Sequence, residues 1–210
     1  IDPEVQSQLK AIAEDILNRI NVDDMMISKG VVDALDHSSP KFAVGGKLGL
    51  DCTGEEIEEL GITLLEDDEL LFKMQSITNE VKELKQYFTN TKNPVTIITV
   101  DKTRTQKYLF EDLRPILENI KILIIIDASN QNDVNNPYML VWRVVNNIDS
   151  NRDMYFDQNT ICIDATNKNS FDNYKRTWPD DVDCTPSVLE SLEKRGIIDI
   201  DEKFKKLYQL

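Results

Sequence analysis

The sequence predicts an α/β protein in which a mainly parallel sheet is flanked by helices and the chain forms two related lobes. Residues 122–126 are a continuous apolar, β-branched run, which is typical of a strand covered on both faces. Residues 95–100 form a second such run. An apolar helix at residues 137–145 joins the first run to a third strand-like segment at residues 152–156. Strand, helix and strand in this order form a parallel crossover unit, which requires neighbouring strands.

The first lobe is predicted to span residues 1–75 and to be incomplete at its N-terminus. Asp2-Pro3 is a helix cap followed by a first-turn proline, and an apolar helical stripe comes after it. A short strand is expected at residues 24–28, and a glycine-rich turn at residues 45–49 leads into a second strand. Residues 55–69 are strongly acidic, so we expect an exposed connector with some helix.

The second lobe is predicted to span residues 76–183. Besides the strands named above, its helices are expected at residues 78–88, at residues 108–117 with a break at Pro115, and at residues 137–145 with Asn136 as the cap and Pro137 in the first turn. Trp142 lies on the most apolar of these helices. We therefore expect its side chain to be buried against residues 122–126.

Residues 184–210 are predicted to be a helical segment. Pro186 opens one helix, Gly196 ends it, and Asp199 is the expected cap of a last helix. The apolar stripe of that last helix consists of Ile200, Phe204, Leu207 and Tyr208. A terminal helix frays unless its apolar face packs on something, so this stripe must cover either its own chain or a partner.

Composition limits the partners and the compartment. The chain has 38 acidic and 24 basic residues among 210, a net charge of −14, which repels nucleic-acid phosphates and anionic lipid. No apolar run approaches the roughly 18 residues of a membrane span, and no signal peptide is visible. Three cysteines without close pairing suit a reducing cytoplasm. Because residue 1 is Ile, we expect a piece of a longer chain.

Two segments of the sequence share one order of residues. Asn18-Arg19-Ile20-Asn21 leads through Asp24-Met25 to Asp51-Cys52-Thr53. Asn146-Asn147-Ile148-Asp149 leads through Asp153-Met154 to Asp164-Ala165-Thr166. The matched residues are few, so an internal duplication and a chance likeness are both open.

The candidate chemical groups do not assemble a self-contained catalytic site. The glycine-rich residues 45–49 lack the spacing of a phosphate loop and precede a strand, so a flexible turn or a close backbone approach explains them. His37, the single histidine, is expected to form loop hydrogen bonds beside Asp36. Asp51 and Asp164 each end a predicted strand two residues before a threonine. They either tie strand ends to loop amides or form a pair of ligand-binding carboxylates at the mouth of a sheet.

These segments together resemble the C-terminal region of the UbiD family of carboxy-lyases, the relatives of polyprenyl-hydroxybenzoate and menaquinone-pathway decarboxylases. The residues that carry the resemblance lie in four stretches, residues 35–40, 45–53, 142–153 and 163–179, and include Asp36, His37, Gly46, Lys47, Asp51, Thr53, Trp142, Arg152, Asp153, Asp164, Thr166 and Trp178. Cys52 replaces the usual alanine, and Asp127 is the first acid of a pair whose second acid is missing.

The resemblance implies a parent enzyme that removes or adds carboxylate on aromatic or α,β-unsaturated acids, in quinone biosynthesis, with prenylated flavin mononucleotide and a divalent metal ion. In that family the flavin, the metal and the catalytic residues lie in earlier domains. The resemblance thus implies no catalytic, cofactor-binding or metal-binding residues here. It implies instead a scaffold that forms homo-oligomers and sets its C-terminal helix against a neighbouring subunit.

Two other functions are open from the sequence. One is a stand-alone α/β domain that binds a small ligand at residues 127–133, the carboxyl end of a central strand. The other is an independent enzyme that uses Asp36, His37 and Asp51.

Overall fold

A computed structural model describes residues 9–59, 61–157, 159–181 and 184–208. The helices within these ranges are α1 (Leu9–Arg19), α2 (Asp67–Ile77), α3 (Gln106–Asp112), α4 (Pro137–Asn147), α5 (Ser150–Asp153), α6 (Pro186–Lys194) and α7 (Glu202–Tyr208). The strands are β1 (Met25–Val31), β2 (Val44–Leu50), β3 (Val81–Tyr87), β4 (Val95–Val100), β5 (Ile122–Asp127), β6 (Met154–Asp157) and β7 (Thr160–Asp164). The expected cap at Asp2-Pro3 lies outside the described residues.

Five strands form one mixed sheet in the order β3-β4-β5-β7-β6. Strands β4, β5 and β7 are parallel, whereas β3 and β6 are antiparallel edges, so the predicted α/β class is confirmed and the sheet is mixed rather than mainly parallel. The segment after α4 was expected to lie parallel beside β5, but β7 takes that place. The connection from β6 to β7 is a tight turn, which allows only antiparallel pairing.

Helices cover both faces of this sheet. On one face, α2, α3 and the turn after α3 bury a cluster that includes Leu70, Leu109, Leu123 and Ile125. On the other face, α4 packs Leu140 and Val144 on Ile97, Ile126 and Ala165. Because α2 packs on β3, residues 67–75, which the sequence assigned to the first lobe, pack with the second.

Strands β1 and β2 form a separate antiparallel hairpin. A third apolar cluster joins this hairpin to the main sheet: Leu17 of α1 contacts Ile122, Met154 and Ile161, with Met25, Ile27 and Leu48 of the hairpin packed around them. The first part of the chain is therefore an α1–hairpin unit that packs on the same face of the sheet as α4, since both contact Val95, Ile124 and Ile163.

The predicted helix at residues 78–88 is wrong, because this segment is strand β3. It pairs antiparallel with β4, from Val81 opposite Val100 to Tyr87 opposite Val95, with a register irregularity between Val81 and Glu83. A bulge of this kind inserts one residue and resets the alternation of side chains. Val81 and Leu84 thus face the same core although they are three residues apart, a spacing that imitates one turn of helix.

The expected burial of Trp142 is also wrong. Leu140 and Val144 form the inner face of α4, whereas Trp142 is 40% exposed. The helix is apolar on most sides, but only one side faces the sheet. An exposed stripe remains on its outer side, and we call it the α4 stripe: Tyr138, Val141, Trp142 and Val145.

Helix α7 packs on the start of α4. The amide of Asn136 donates to Leu207 O at 2.9 Å, and the rings of Tyr138 and Tyr208 meet edge to face with centroids 5.0 Å apart. Phe204 and Leu207 nevertheless stay about two-fifths exposed. The cap of α7 is Asp201, whose carboxylate accepts from Phe204 N, rather than Asp199, and Ile200 precedes the helix.

The two segments of similar sequence have the same structural order. A helix, a short helical turn, an antiparallel hairpin and an Asp-x-Thr occur in residues 9–53, the first repeat unit, and in residues 137–166, the second. Met25 pairs with Leu50 in the first unit, and Met154 pairs with Ile163 in the second, in each case directly before the aspartate. In the second unit the hairpin is joined to β4 and β5, whereas no equivalent strands accompany the first unit among the described residues.

Candidate functional site

Most of the motif residues converge where the hairpin meets the main sheet. They come from the loop after β1, the start of β2, the segment from the end of α4 through α5, and the chain that follows β7. We call this group the junction cluster: Asp36, His37, Gly46, Lys47, Asp149, Arg152, Asp153, Asp164, Thr166, Lys168, Tyr174, Arg176 and Trp178. Asp51, Thr53 and Trp142 lie outside it.

Four charged side chains form the centre of the cluster: Asp153, Asp164 and Lys168 are buried, and Arg152 is partly buried. Lys168 Nζ lies 2.9 Å from Asp164 Oδ1 and 3.5 Å from Asp153 Oδ1, and it donates to Asp164 O at 2.8 Å. Arg152 donates to both carboxylate oxygens of Asp153, each at 2.6 Å. Two carboxylates and two cations therefore neutralise one another away from water, which offsets the cost of burying each charge.

The pKa directions follow from this arrangement. Burial by itself raises the pKa of Asp164, but the charges of Lys168 and Lys102 and the bonds to Thr166 outweigh it, so the pKa is lowered. For Asp153 burial prevails over Lys168 and Arg152, and its pKa is raised. Lys168 belongs to the stretch of residues 163–179 that carries the resemblance, but the sequence alone indicated no role of its own for it. Its position four residues after Asp164, where the chain leaves β7, is the signal that could have indicated it.

The loop after β1 is held by its own carboxylate. Asp36 accepts from Ser38 N at 3.0 Å and pairs with Lys47 of β2. Burial acts to raise the pKa of Asp36, yet the bonds from Lys47 and Ser38 prevail and lower it. Arg176 Nη1 donates to Asp36 O and Ser39 O, both at 3.1 Å, which fixes the backbone of the same loop.

The His37 ring lies between the aromatic side chain of Trp178 and the amide side chain of Asn147. The ring meets Trp178 edge to face at 4.9 Å, and Nε2 lies 3.3 Å from Asn147 Oδ1. Tyr174 Oη donates to His37 O at 2.5 Å. These contacts make His37 a packing residue between the loop and the chain that follows β7.

Gly46 lies at a close approach of β2 to α5. Its N–H donates to Asp149 Oδ2 at 3.0 Å, and a Cβ at this position would lie 2.6 Å from Asn151 N. Of the two explanations offered for the glycines, the close backbone approach applies here. Asp149 Oδ1 accepts from Asn151 N and Arg152 N at the start of α5, so one carboxylate joins the two repeat units.

The two Asp-x-Thr segments have the same local geometry in different places. In each, Oδ1 of the aspartate accepts from the threonine N at 3.0 Å and from its hydroxyl at 2.6 Å. Asp51 follows β2 and is exposed, whereas Asp164 ends β7 and is buried. Because the two aspartates belong to different sheets, they do not form a pair of carboxylates at one sheet mouth.

A further buried ion pair, which the sequence did not suggest, lies at the carboxyl ends of the parallel strands. Lys102 Nζ donates to Asp172 Oδ2 at 2.6 Å and to Thr166 Oγ1 at 2.8 Å. Beside it, burial raises the pKa of Asp127, whose Oδ2 accepts from Asn167 N. A cavity of about 100 Å³ is lined here by Asp127 and neighbouring polar residues.

The metal ion that the resemblance implies has no ready-made set of ligands in the described residues. No three His, Cys, Asp or Glu side chains converge there as metal ligands. The buried carboxylates of Asp153 and Asp164 already have cations beside them. No helix in the same residues is long and apolar enough to cross a membrane.

No protein-family model matches the chain. Two uncharacterized proteins of Helicobacter pylori, from strains J99 and 26695, are each 40% identical to it over 201 residues, which is 95% of this chain and 32% of each relative. The chain thus spans about a third of the length of the curated relatives it matches.

Partial overlaps with solved structures include an evolved dimeric form of the UbiD-class enzyme HmfF from Pelotomaculum thermopropionicum in complex with prFMN, at a TM-score of 0.44 and 17% identity over 59% of this chain and 27% of that one. Vanillic acid decarboxylase of Sedimentibacter hydroxybenzoicus overlaps at a TM-score of 0.42 and 15% identity over 61% of this chain and 31% of that one. Overlaps this partial identify no function for the chain by themselves.

Proposed function

We propose that this chain is the C-terminal scaffold and assembly region of a UbiD-like carboxy-lyase that acts on aromatic or unsaturated carboxylic acids, in quinone biosynthesis. The observation that carries the proposal is the junction cluster. Nine of the twelve residues singled out by the resemblance belong to it, although they come from four separate stretches: Asp36, His37, Gly46, Lys47, Arg152, Asp153, Asp164, Thr166 and Trp178.

The burial and pairing of the charged side chains in the cluster support a scaffold role. A general acid or base needs a carboxyl group that can reach a substrate and exchange a proton with it. The carboxylates of Asp153 and Asp164 are instead about 1% exposed and bonded to Arg152, Lys168 and Thr166. Such a network fixes the relative position of the loops it joins.

The chemistry of the proposed parent enzyme belongs to its other domains. Relatives that match this chain over 95% of its length are about three times as long, which leaves room for domains that hold prenylated flavin mononucleotide and a divalent metal ion. These domains of the same chain are the first partner we propose. Cytoplasmic localisation, suggested by the cysteine count, belongs to the same proposal.

Self-association is the second part of the proposal. The α4 stripe and the exposed sides of Phe204 and Leu207 are neighbours, because α7 packs on the start of α4. Contiguous apolar surface of this kind marks interaction sites. We propose that this surface meets its equivalent in a second copy around a two-fold axis, the commonest arrangement in oligomers.

The alternative function, a stand-alone ligand-binding domain, has less support. Its expected site at residues 127–133 does border a cavity, but the volume of about 100 Å³ lies well below the roughly 300–1,000 Å³ of small-molecule sites. The rival enzyme based on Asp36, His37 and Asp51 loses its third member, because Asp51 bonds to Thr53 outside the junction cluster.

The test of function compares this chain with the full-length protein. Each is titrated with prenylated flavin mononucleotide and a divalent metal ion, and carbon dioxide release is measured with prenylated and simple aromatic acids. We expect binding and turnover by the full-length protein only. Micromolar flavin binding by residues 1–210 alone, or a full-length protein that binds none, would refute the assignment.

The test of assembly is light scattering on the intact chain and on a chain that ends at residue 198. We expect a dimer to become a folded monomer, with the double variant V141S/V145S as a second route to the same loss. A monomeric intact chain would contradict self-association, as would a truncated chain that stays dimeric.

A further inference from the structure

The hairpin of the first repeat unit lacks the neighbour that its counterpart has. In the second unit, β7 lies between β6 and β5, and its parallel pairing with β5 runs from Ile161 opposite Ile122 to Asp164 opposite Ile125. In the first unit, β2 pairs with β1 alone among the described residues. Matching Asp51 to Asp164 places Leu48 at the position of Ile161 and Leu50 at that of Ile163.

The backbone of β2 points its free groups at this open edge. Asp51 N donates to Asp24 O and so faces β1, and because successive residues of a strand face opposite sides, the N–H groups of Leu48 and Leu50 face away from β1. In the second unit, Ile161 N donates to Lys121 O and Ala165 N to Ile125 O, both on the β5 side. In both units, therefore, the amides at corresponding positions of the second hairpin strand point away from the first strand of the hairpin.

The open part of the edge begins where the pairing with β5 begins in the other unit. Gly46 N also faces outward, but Asp149 accepts its hydrogen bond, so α5 covers that position. Leu48, Leu50 and Cys52 have no hydrogen-bond acceptor for their outward N–H groups among the described residues. Leu50 is 44% exposed, whereas Ile163 is partly buried and Ile161 is fully buried.

We propose that the edge of β2 from Leu48 to Cys52 receives a parallel β-strand from the part of the full-length protein that precedes α1. In the second unit, the strand that fills the equivalent place, β5, precedes α4 by a short loop. The incoming strand is the counterpart of β5 and, like β5, is expected to be apolar on both faces. Relatives about three times as long as this chain have the residues to supply it.

This strand would complete the first repeat unit as an α/β lobe. An exposed row of unpaired strand amides is a site at which proteins recruit a further strand or aggregate. Here the equivalence of β2 to β7 and the chain order specify a parallel strand, and the start of the open edge specifies its register. The inference holds whatever reaction the full-length protein catalyses, because it depends only on the repeat and on the unpaired edge.

Amide hydrogen exchange in the 210-residue chain and in the full-length protein tests the proposal. We expect the N–H groups of Leu48, Leu50 and Cys52 to exchange at least 100-fold more slowly in the full-length protein. A 100-fold slowing corresponds to about 2.7 kcal/mol of added protection. Asp51 N, which donates to β1, is the internal control and should be protected in both proteins. Equal and fast exchange of the three outward amides in both proteins would overturn the proposal.

Paired substitutions give an independent readout. Leu50→Pro removes the outward N–H, and Leu50→Ala removes the side chain but keeps the N–H. In the 210-residue chain the two variants should unfold at similar denaturant concentrations. In the full-length protein the proline variant should unfold at a clearly lower concentration than the alanine variant, and equal midpoints there would refute the strand.

Discussion

Replacing Gly46 by alanine tests whether the two repeat units are held at the distance the structure gives. The added Cβ would lie 2.6 Å from Asn151 N and 2.7 Å from Asn151 Cβ, about 1 Å closer than an unstrained contact. These atoms are the backbone nitrogen and the Cβ of Asn151 in α5, which cannot move aside by a side-chain rotation. Either β2 or α5 must move, and the 3.0 Å bond from Gly46 N to Asp149 would then lengthen or break.

The expected loss follows from these contacts. Overpacking costs about 1–3 kcal/mol, and losing a hydrogen bond to a charged group costs about 1.5–3 kcal/mol. Alanine recovers about 0.4–1 kcal/mol by restricting the unfolded chain. We expect the free energy of unfolding to fall by about 2–5 kcal/mol in urea titrations of the 210-residue chain.

Gly49→Ala is the matched control on the same strand. Its Cβ would meet nothing closer than 3.6 Å, so we expect a change below about 1 kcal/mol. If Gly46→Ala is as stable as this control, β2 and α5 are not in contact as described, and the structural explanation of the glycine fails.

Three further substitutions test the burial and the charges. Lys168→Met removes the one cation among the described residues that is ion-paired with both Asp153 and Asp164, so we expect a loss of about 3–5 kcal/mol. Exposed Lys175→Met should cost less than about 0.5 kcal/mol, and equal losses would contradict the buried network. The pKa of Asp36 is lower in the folded protein than in the unfolded chain, where it is about 4. The ionised carboxylate therefore stabilises the fold fully above about pH 4, and this contribution is lost as the pH falls through the folded pKa. Asp36→Asn should therefore destabilise the protein more at pH 7 than at pH 2.5 in urea titrations, and a difference that does not change with pH would refute that charge effect. Leu140→Ala should cost about 2–5 kcal/mol in the isolated chain at a concentration where it is monomeric, and Trp142→Ala clearly less; the reverse order would show that the faces of α4 are misassigned.

Local chemistry made several elements predictable from the sequence. The cap at Asn136, whose side chain accepts from Met139 N, and the proline after it depend only on neighbouring residues, and so does the positive φ of Gly196 after α6. The β-branched runs of β4 and β5 identified central strands because both faces of those strands are covered. Each of these signals lies within a few residues of the feature it predicts.

Features that depend on distant residues were not predictable in the same way. Apolar spacing indicated a helix for β3, because the bulge opposite β4 is visible only once the strands pair. The outer side of α4 looks like core in sequence, since nothing local shows which side meets the sheet. The bond from Gly46 to Asp149 joins residues 103 positions apart, so motif order could associate them but could not give their contact.

The junction cluster also fixes the orientation of the open edge of β2 relative to the main sheet. The hairpin contributes Met25, Ile27 and Leu48 to its apolar contact with the sheet, all of them only partly buried, so directed polar bonds are needed to fix the angle of the hairpin. One such bond is donated by Gly46 N, near the start of β2, to Asp149 Oδ2, and the open edge begins two residues later at Leu48. A strand that pairs with this edge therefore has its direction fixed relative to the main sheet by the same carboxylate. Substitutions such as Gly46→Ala should for that reason weaken protection of the Leu48 and Leu50 amides in the full-length protein, even though neither leucine is changed.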